Sequence, residues 1–418
     1  MSEGRQMTVR SRSGFSRHCM VVFAHYPLGE TRVQRQAEAL LEQGVAVDVI
    51  CLRAGFETTR ETINGVQVYR LPVSRKFGPT GFARQFLDYL RFFWLVMVSL
   101  IRLQRRQPYQ VVQVHNLPDF LIFAAWYPKL TGARLILDLH DLMPEFFAAR
   151  TGQGMSHWLV RLVAWQEGRA ARFAHHIITV TERWRQSLIR RGVPADKVSV
   201  VMNVADDRFF KRATGRDSGS DPAGFQLFYH GSLTPRYGVD LLVEAVARLK
   251  TAIPGLGLTI HGGGTYLQTL QALAAQRKVS DRITFSSEFL PMSALPGLIR
   301  SADVAVVPYR RDRLTDEILP TKLLEYVALG VPAVVARTPI IESYFDETMV
   351  EFFTPEDLDD LCRRLLALAG NRDRLERLSH QAEAFNAKYN WSKQKTNYLA
   401  LLQRQLELAV GPADRQPV

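Results

Sequence analysis

Cysteine is scarce in this chain. Cys19, Cys51 and Cys362 stand far apart among 418 residues, an odd number with no metal-ligand spacing. That pattern excludes a disulfide framework and gives a reducing, cytoplasmic setting as the expectation. Long apolar runs are missing too. The longest largely apolar stretch, Phe92 to Ile101, is too short to span a bilayer. Met1 to His18 is basic and polar, without the apolar core of a signal peptide. Acidic residues are in deficit, with Asp+Glu 41 against Lys+Arg 53 and a net charge of +12. Such an excess favours anionic partners, whether phosphorylated ligands or anionic lipid surfaces. No recognised nucleic-acid module accompanies it, so nucleic acid is not expected as a partner. No metal-ligand cluster stands out, and no metal or cofactor is expected.

What is present is ordinary for a folded enzyme: 47% hydrophobic and 22% charged residues, in a chain long enough for two domains. Short apolar runs alternate with amphipathic stretches. Cys19–Ala24, Val45–Leu52, Val111–Val114, Arg134–Asp138, His176–Val180 and Val198–Met202 read as strands. Between the first two, Val33, Ala37, Leu40 and Leu41 share one face of a helix. Lys211 to Gly224 is rich in Gly, Ser and Asp and reads as a linker. Strands resume at Gln226–Tyr229, Leu258–His261, Ile283–Phe285, Val304–Val307 and Ala333–Ala336. The expected fold is α/β: two doubly wound, Rossmann-like parallel-sheet domains facing a cleft. The expected boundaries are a basic disordered tail at 1–18, a first domain at 19–210, the linker at 211–224 and a second domain at 225–391, which the family resemblance described below makes the acceptor-side and donor domains. A helix at 392–410 returns to the first domain, followed by a tail at 411–418.

The strongest chemical signal is Glu317-Ile-Leu-Pro-Thr-Lys-Leu-Leu-Glu325. Pro320 suits the first turn of a helix, which places Glu317 before it and Glu325 inside it. Backbone N–H groups around Thr321, Lys322 and Leu323 suit phosphate oxygens, and Lys322 adds a charge. Carboxylates on both sides of a phosphate-binding helix start suit a nucleotide sugar. A surface helix with two solvated glutamates has the same spacing.

The Glu-x7-Glu pattern, with a helix ending in Gly-x-Pro before a Val-rich strand, resembles glycosyltransferase family 4, the retaining enzymes of GT-B fold. Further segments agree in order: Tyr229-His-Gly-Ser-Leu-Thr-Pro-Arg-Tyr-Gly, Ile260-His-Gly-Gly-Gly, Ala302-Asp-Val-Ala-Val-Val-Pro, and His140-Asp141 after a strand. The resemblance covers roughly residues 19 to 400. It implies that Glu325 contacts ribose, Glu317 the transferred sugar, and His140 the sugar or donor phosphate from the acceptor domain. It also implies a nucleotide-diphosphate sugar as substrate, a hydroxyl acceptor on a glycan or lipid-linked saccharide, and retention at the anomeric carbon.

The donor loop departs from the family. Where many members carry Gly-Arg and Lys-Gly, this chain has Gly231-Ser232 and Tyr237-Gly238. Arg236 is the expected substitute cation, together with Lys322. Gly263 and Gly264 permit either close ligand approach or a plain turn. In the first loop only Gly29 remains of a glycine-rich segment, and Arg32 is a candidate to reach the ligand. Phe82 to Arg106 mixes aromatic and basic residues, with Phe86, Tyr89, Leu90, Phe93 and Met97 on one face. An interfacial helix on anionic lipid and a core helix with a basic end both fit. A nucleotide-sugar 2-epimerase and an inactive sugar-nucleotide-binding protein are the rival functions.

Overall fold

The computed structural model describes residues 16–28, 30–55, 57–73, 82–212, 224–288 and 290–408. The expected C-terminal tail, most of the N-terminal tail and most of the expected linker lie outside them, as does Gly29, but Arg17 and His18, expected in the tail, form the start of the first strand. The chain divides into two compact units. One runs to Met202 and takes up the chain again from Gln394; the other is Asn203–Lys393. The break thus falls before the polar linker. Val204 and Phe210 belong with the second unit, where they line a pocket with Leu324 and Tyr389.

The first unit holds β1 (Arg17–Val21), β2 (Ala46–Leu52), β3 (Arg60–Ile63), β4 (Val66–Leu71), β5 (Val111–His115), β6 (Arg134–Leu139), β7 (His176–Thr179) and β8 (Val198–Val200). Their order is β3-β4-β2-β1-β5-β6-β7-β8, and only the β3–β4 pair is antiparallel. The inner strands are near-continuous apolar runs because helices cover both faces. The β3–β4 hairpin has a readable signal that pattern analysis passed over. Asn64 and Gly65 both adopt positive φ, 48° and 86°, as a two-residue hairpin turn requires. Its edge strand Arg60-Glu-Thr-Ile is polar and largely exposed, so no apolar run announces it.

From Gln394 onward the helix Trp391–Glu407 belongs to this unit. Tyr398, Leu401 and Leu402 join the core built by Met20, Val49 and Ile136. The Tyr398 hydroxyl donates to Gln113 Oε1 at 2.7 Å.

The second unit holds β9 (Phe225–His230), β10 (Leu256–His261), β11 (Ile283–Ser286), β12 (Val304–Val307), β13 (Ala333–Ala336) and β14 (Glu351–Phe353). All pair in parallel, in the order β11-β10-β9-β12-β13-β14. β14 escaped the sequence pattern because it begins with a charge. Glu351 is buried there and accepts from Arg364 at 3.0 Å and Arg374 at 2.8 Å. The strand order reverses between β9 and β12, and between β1 and β5. Ligands of open α/β sheets bind at the carboxyl ends of strands at such switch points.

Candidate functional site

At the carboxyl end of β9, Gly231 adopts φ 118° and β12 leads into Pro308 and Tyr309. The helix Thr321–Leu329 points its first turn at this place. A Cβ on Gly231 would come within 3.0 Å of Lys322 Cε. Lys322 is 7% exposed and sits in a cage of tyrosines. Its Nζ lies 3.3 Å from Tyr229 Oη and 3.1 Å from Tyr309 Oη, and 4.7–5.0 Å from the ring centroids of Tyr229, Tyr237 and Tyr309. The rings favour the cation through their quadrupoles. Burial nevertheless dominates and lowers Lys322 to about 7, against the pull of Glu325.

Tyr237 stands where the family's usual loop lysine was expected, and its ring stacks on Tyr309 at 4.6 Å. Arg236, the expected loop cation, has an acidic partner. Its Nε pairs with Asp312 Oδ2 at 2.7 Å, and its charge is already balanced. Asp312 also orders the loop before the helix. Its Oδ1 accepts from the amides of Leu314 and Thr315, both at 2.8 Å, an Asx-type turn. Glu317 follows this turn, with its amide donating to Leu314 O at 3.0 Å.

Glu325 is held by His230, the last residue of β9, which sequence reasoning quoted but did not single out. His230 Nε2 lies 2.7 Å from Glu325 Oε2, and Nδ1 lies 3.0 Å from the buried Tyr326 hydroxyl. The Tyr326 hydroxyl can donate to Nδ1, which leaves the proton on Nε2 facing the carboxylate. A histidine at the end of a parallel strand, next to a positive-φ glycine, was the available signal.

Of the three helix-start residues, Thr321 is exposed and Leu323 is buried in the core. The Leu323 amide already donates to Pro320 O at 3.0 Å. The Leu323 amide is thus occupied within the helix start. Gly262 and Gly264 serve packing between two loops. A Cβ on Gly262 would meet Gly231 O at 2.0 Å, and one on Gly264 would meet Leu233 O at 2.2 Å. Gly263 has open space around it, and its carbonyl accepts from Leu233 N at 2.9 Å. The glycine run thus lets one loop lie against the other, with Gly263 free to face a ligand.

In the first unit, His140 follows β6 and stacks on His115 with centroids 6.0 Å apart. Its amide donates to Asn116 Oδ1 at 2.9 Å. Burial, reinforced by His115 and opposed by Asp138, lowers His140 to about 4, so it is neutral at physiological pH. Arg32 is corrected by the structure: it lies inside the unit, 5% exposed, not at a ligand surface. It grips Asp138 through Nε and Nη2 at 2.9–3.2 Å, and Nη1 donates to Val201 O at 2.9 Å. Burial alone would raise Asp138. Arg32 and His115 outweigh it and hold the carboxyl well below the usual carboxylate range.

His115, Asp138 and His140 offer three potential metal-ligand atoms within 4.8 Å of one another. The Asp138 oxygens are already engaged by Arg32, and Gln36 and Gln113 donate to Oδ2, each at 3.2 Å. A cation would have to displace a bound guanidinium, so the donor set does not fit a metal. An Asp-x-Asp spacing occurs at Asp357 and Asp359. Asp357 caps a helix by accepting from Asp360 N at 2.9 Å, and Asp359 pairs with Arg248.

The Phe82–Arg106 helix does two things at once. Phe92, Val96 and Leu100 are buried, while Leu87, Trp94 and Val98 are exposed. The buried stripe is offset from the face expected from Phe86 and Tyr89. No helix among the described residues is long and apolar enough to cross a membrane.

Comparison with known proteins agrees with this geometry. Residues 29–203 match the glycosyl transferase 4-like domain, and residues 211–390 match glycosyl transferases group 1. A GDP-mannose-dependent alpha-(1-6)-phosphatidylinositol monomannoside mannosyltransferase of Mycolicibacterium smegmatis is 38% identical over 108 residues. That alignment spans only 25% of this chain and 28% of the relative. A D-inositol 3-phosphate glycosyltransferase of Pseudarthrobacter chlorophenolicus is 33% identical over 73% of each chain. Among solved structures, sucrose-phosphate synthase of Thermosynechococcus elongatus superposes with a TM-score of 0.76 at 16% identity, over 94% of this chain and 100% of that one. Anabaena HepE, solved in complex with UDP-glucose, gives 0.70 at 16% identity, over 93% and 99%. These structural likenesses establish the GT-B fold. Two family domains in tandem and a relative matched along most of its length lead to one conclusion: the chain belongs to glycosyltransferase family 4.

Proposed function

We propose that this glycosyltransferase moves a sugar from a nucleotide-diphosphate sugar to a hydroxyl on a glycan or lipid-linked acceptor, with retention and without a metal or other cofactor. The observation that carries the reading is the placement of Lys322, the helix start and the His230–Glu325 pair at the β9/β12 switch point. Lys322 and the amides of Thr321 and Lys322 take the diphosphate, with the Gly231 and Gly263 backbones beside them. Glu325 accepts from ribose hydroxyls, Glu317 from the transferred sugar, and His140 serves the acceptor side as a neutral hydrogen-bonding group. The acceptor oxygen bonds to the anomeric carbon as the carbon–phosphate oxygen bond breaks. The leaving diphosphate takes the acceptor proton on the same face. Catalysis then rests on positioning and on stabilising the charge of the leaving group. The acceptor side approaches an anionic membrane through the Phe82–Arg106 helix.

The test is a screen of the purified chain against nucleotide sugars, reading nucleotide diphosphate release with and without acceptor. GDP-mannose is the first donor to try, since the mycobacterial relatives are named as GDP-mannose dependent. Retention is read from the anomeric configuration of the product by NMR. Release of an epimerised sugar without acceptor would favour the 2-epimerase reading.

Glu325→Ala is expected to weaken nucleotide binding by roughly 1.5–3 kcal/mol, the value of a hydrogen bond to a charged group. Calorimetry on the folded variant checks this, and unchanged affinity would remove Glu325 from the ribose. Transfer is also expected to persist in chelator. Loss of activity that manganese or magnesium restores would contradict metal independence.

A further inference from the structure

A pocket of about 270 Å³ lies wholly within the first unit, and none of its lining residues is among the site residues assigned above. Its walls come from three helices, Phe82–Arg106, Met143–Thr151 and Trp158–Phe173, and from the Leu117-Pro118 turn. Phe86, Tyr89, Phe120, Phe146, Phe147 and Val163 make the lining almost wholly apolar. For scale, an apolar cavity of about 150 Å³ stays dry and admits benzene. Phe86 and Leu162 line the pocket and are 48% and 51% exposed, so its mouth opens on the surface these helices present.

That surface is unusual. Four of the six tryptophans, Trp94, Trp126, Trp158 and Trp165, are at least 40% exposed, and all lie in this unit. Tryptophan is ordinarily well buried, and exposed tryptophan is typical of a membrane–water interface. The two flanking helices also carry eight exposed arginines: Arg84, Arg91, Arg102, Arg105 and Arg106 on the first, and Arg161, Arg169 and Arg172 on the second. Their only acids are the half-exposed Asp88 and the buried Glu167, which Arg191 neutralises. Exposed Leu87, Trp94, Val98, Trp158 and Leu162 alternate with these cations. The charge complements anionic headgroups, and the apolar groups suit the layer beneath.

We infer that the pocket receives one acyl chain of an anionic phospholipid, which seats the enzyme on its membrane with the lipid headgroup close to His140. The chain runs directly from one place to the other. Pocket residues Leu117 and Pro118 follow Asn116, whose Oδ1 accepts from the His140 amide, and pocket residue Met143 lies three residues after His140. The Leu117-Pro118 side of the pocket thus adjoins in sequence the carboxyl end of β5, and Met143 that of β6. The commitment to an acyl chain follows from the surface: the headgroups that suit the arginines belong to the same lipids whose chains lie below the tryptophans. The inference rests on the glycosyltransferase reading for the headgroup's role, and not for occupancy of the pocket.

The test uses the full chain and myristoyl lysophosphatidylglycerol below its micelle concentration, with stoichiometry read by native mass spectrometry and affinity by calorimetry. Wild type is expected to bind one lysolipid. Val163→Trp and Leu159→Phe, which fill the pocket, are each expected to weaken it about tenfold or more. Both variants should still bind phosphatidylglycerol vesicles. The converse variant, Arg91→Glu with Trp94→Ser, alters the surface and should lose vesicle binding about tenfold while retaining the lysolipid. Equal lysolipid affinity in both filling variants, with unchanged circular dichroism, would overturn the inference. So would geranylgeranyl phosphate binding about tenfold more tightly than the lysolipid, which would assign the pocket to an isoprenoid. Nucleotide affinity and transfer to a water-soluble acceptor, measured in the same variants, report the enzymatic reading separately. Their absence in wild type would defeat that reading and leave the lysolipid result standing.

Discussion

Arg32→Met is expected to destabilise the N-terminal unit by about 3–5 kcal/mol, the cost of breaking a buried ion pair by removing one partner. Asp138 is fully buried, and Arg32 is its principal counter-charge, with hydrogen bonds from Gln36 and Gln113 as secondary support. The pH dependence distinguishes this account from a simple packing loss. In wild type the folded carboxyl is held below its unfolded value, so its stabilising contribution is present at neutral pH and fades only in strong acid. Without Arg32, burial dominates and raises the carboxyl above its unfolded value. The variant then suffers most at neutral pH, and its deficit narrows as pH falls toward the usual carboxylate range. Urea unfolding of the N-terminal unit at pH ~7.5 and pH ~5 checks both statements, since the two values lie on either side of the expected change. A deficit below about 1 kcal/mol, no more than a surface pair is worth, would mean that the pair is not structural.

Lys322→Ala is expected to lower turnover by roughly 10²–10³, the scale of removing a group that stabilises developing negative charge. Arg236→Ala should do much less, about tenfold or under, because Asp312 already neutralises that guanidinium. This reverses the weight that the sequence alone assigned to the loop arginine. Lys322 also makes a titration prediction. Burial lowers it to about 7, so part of the population is neutral at pH ~8 before the donor arrives. An anionic diphosphate favours the charged form, and binding should take up a fraction of a proton there. Calorimetry of nucleotide diphosphate binding in buffers of different ionisation enthalpy reads that uptake, and Lys322→Ala should abolish it. Between pH ~7 and ~10 the folded state binds fewer protons at this site than the unfolded state, so its contribution to stability rises with pH. Equal turnover losses in Lys322→Ala and Arg236→Ala would return the loop arginine to the diphosphate.

The two α/β sheets were legible because buried parallel strands announce themselves as apolar runs at regular intervals. Val304–Val307 and Ala333–Ala336 are found where the pattern set them. The elements that escaped are those whose residues answer to other forces. β3 is a polar edge held by an Asn-Gly turn, and β14 buries Glu351 between two arginines. The family could also be read, because Glu317, Glu325 and the glycine turns occur in a fixed order along the chain.

Site chemistry divided along a different line. Residue types and spacing along one helix belong to the sequence, so the Glu325 and Lys322 candidates needed no coordinates. Which partner neutralises a charge depends on residues brought together from distant parts of the chain. Arg32 meets Asp138 across 106 positions, and His230 meets Glu325 across 95. Sequence alone determined that this chain would form two doubly wound sheets of glycosyltransferase family 4, with Glu317 before a helix start and Glu325 within that helix. Only the tertiary structure decided that Arg32 is spent inside the fold, that Arg236 is paired with Asp312, and that Lys322 sits in a tyrosine cage. The physical reason is that desolvation and Coulomb energy depend on distances through space, which local pattern does not encode.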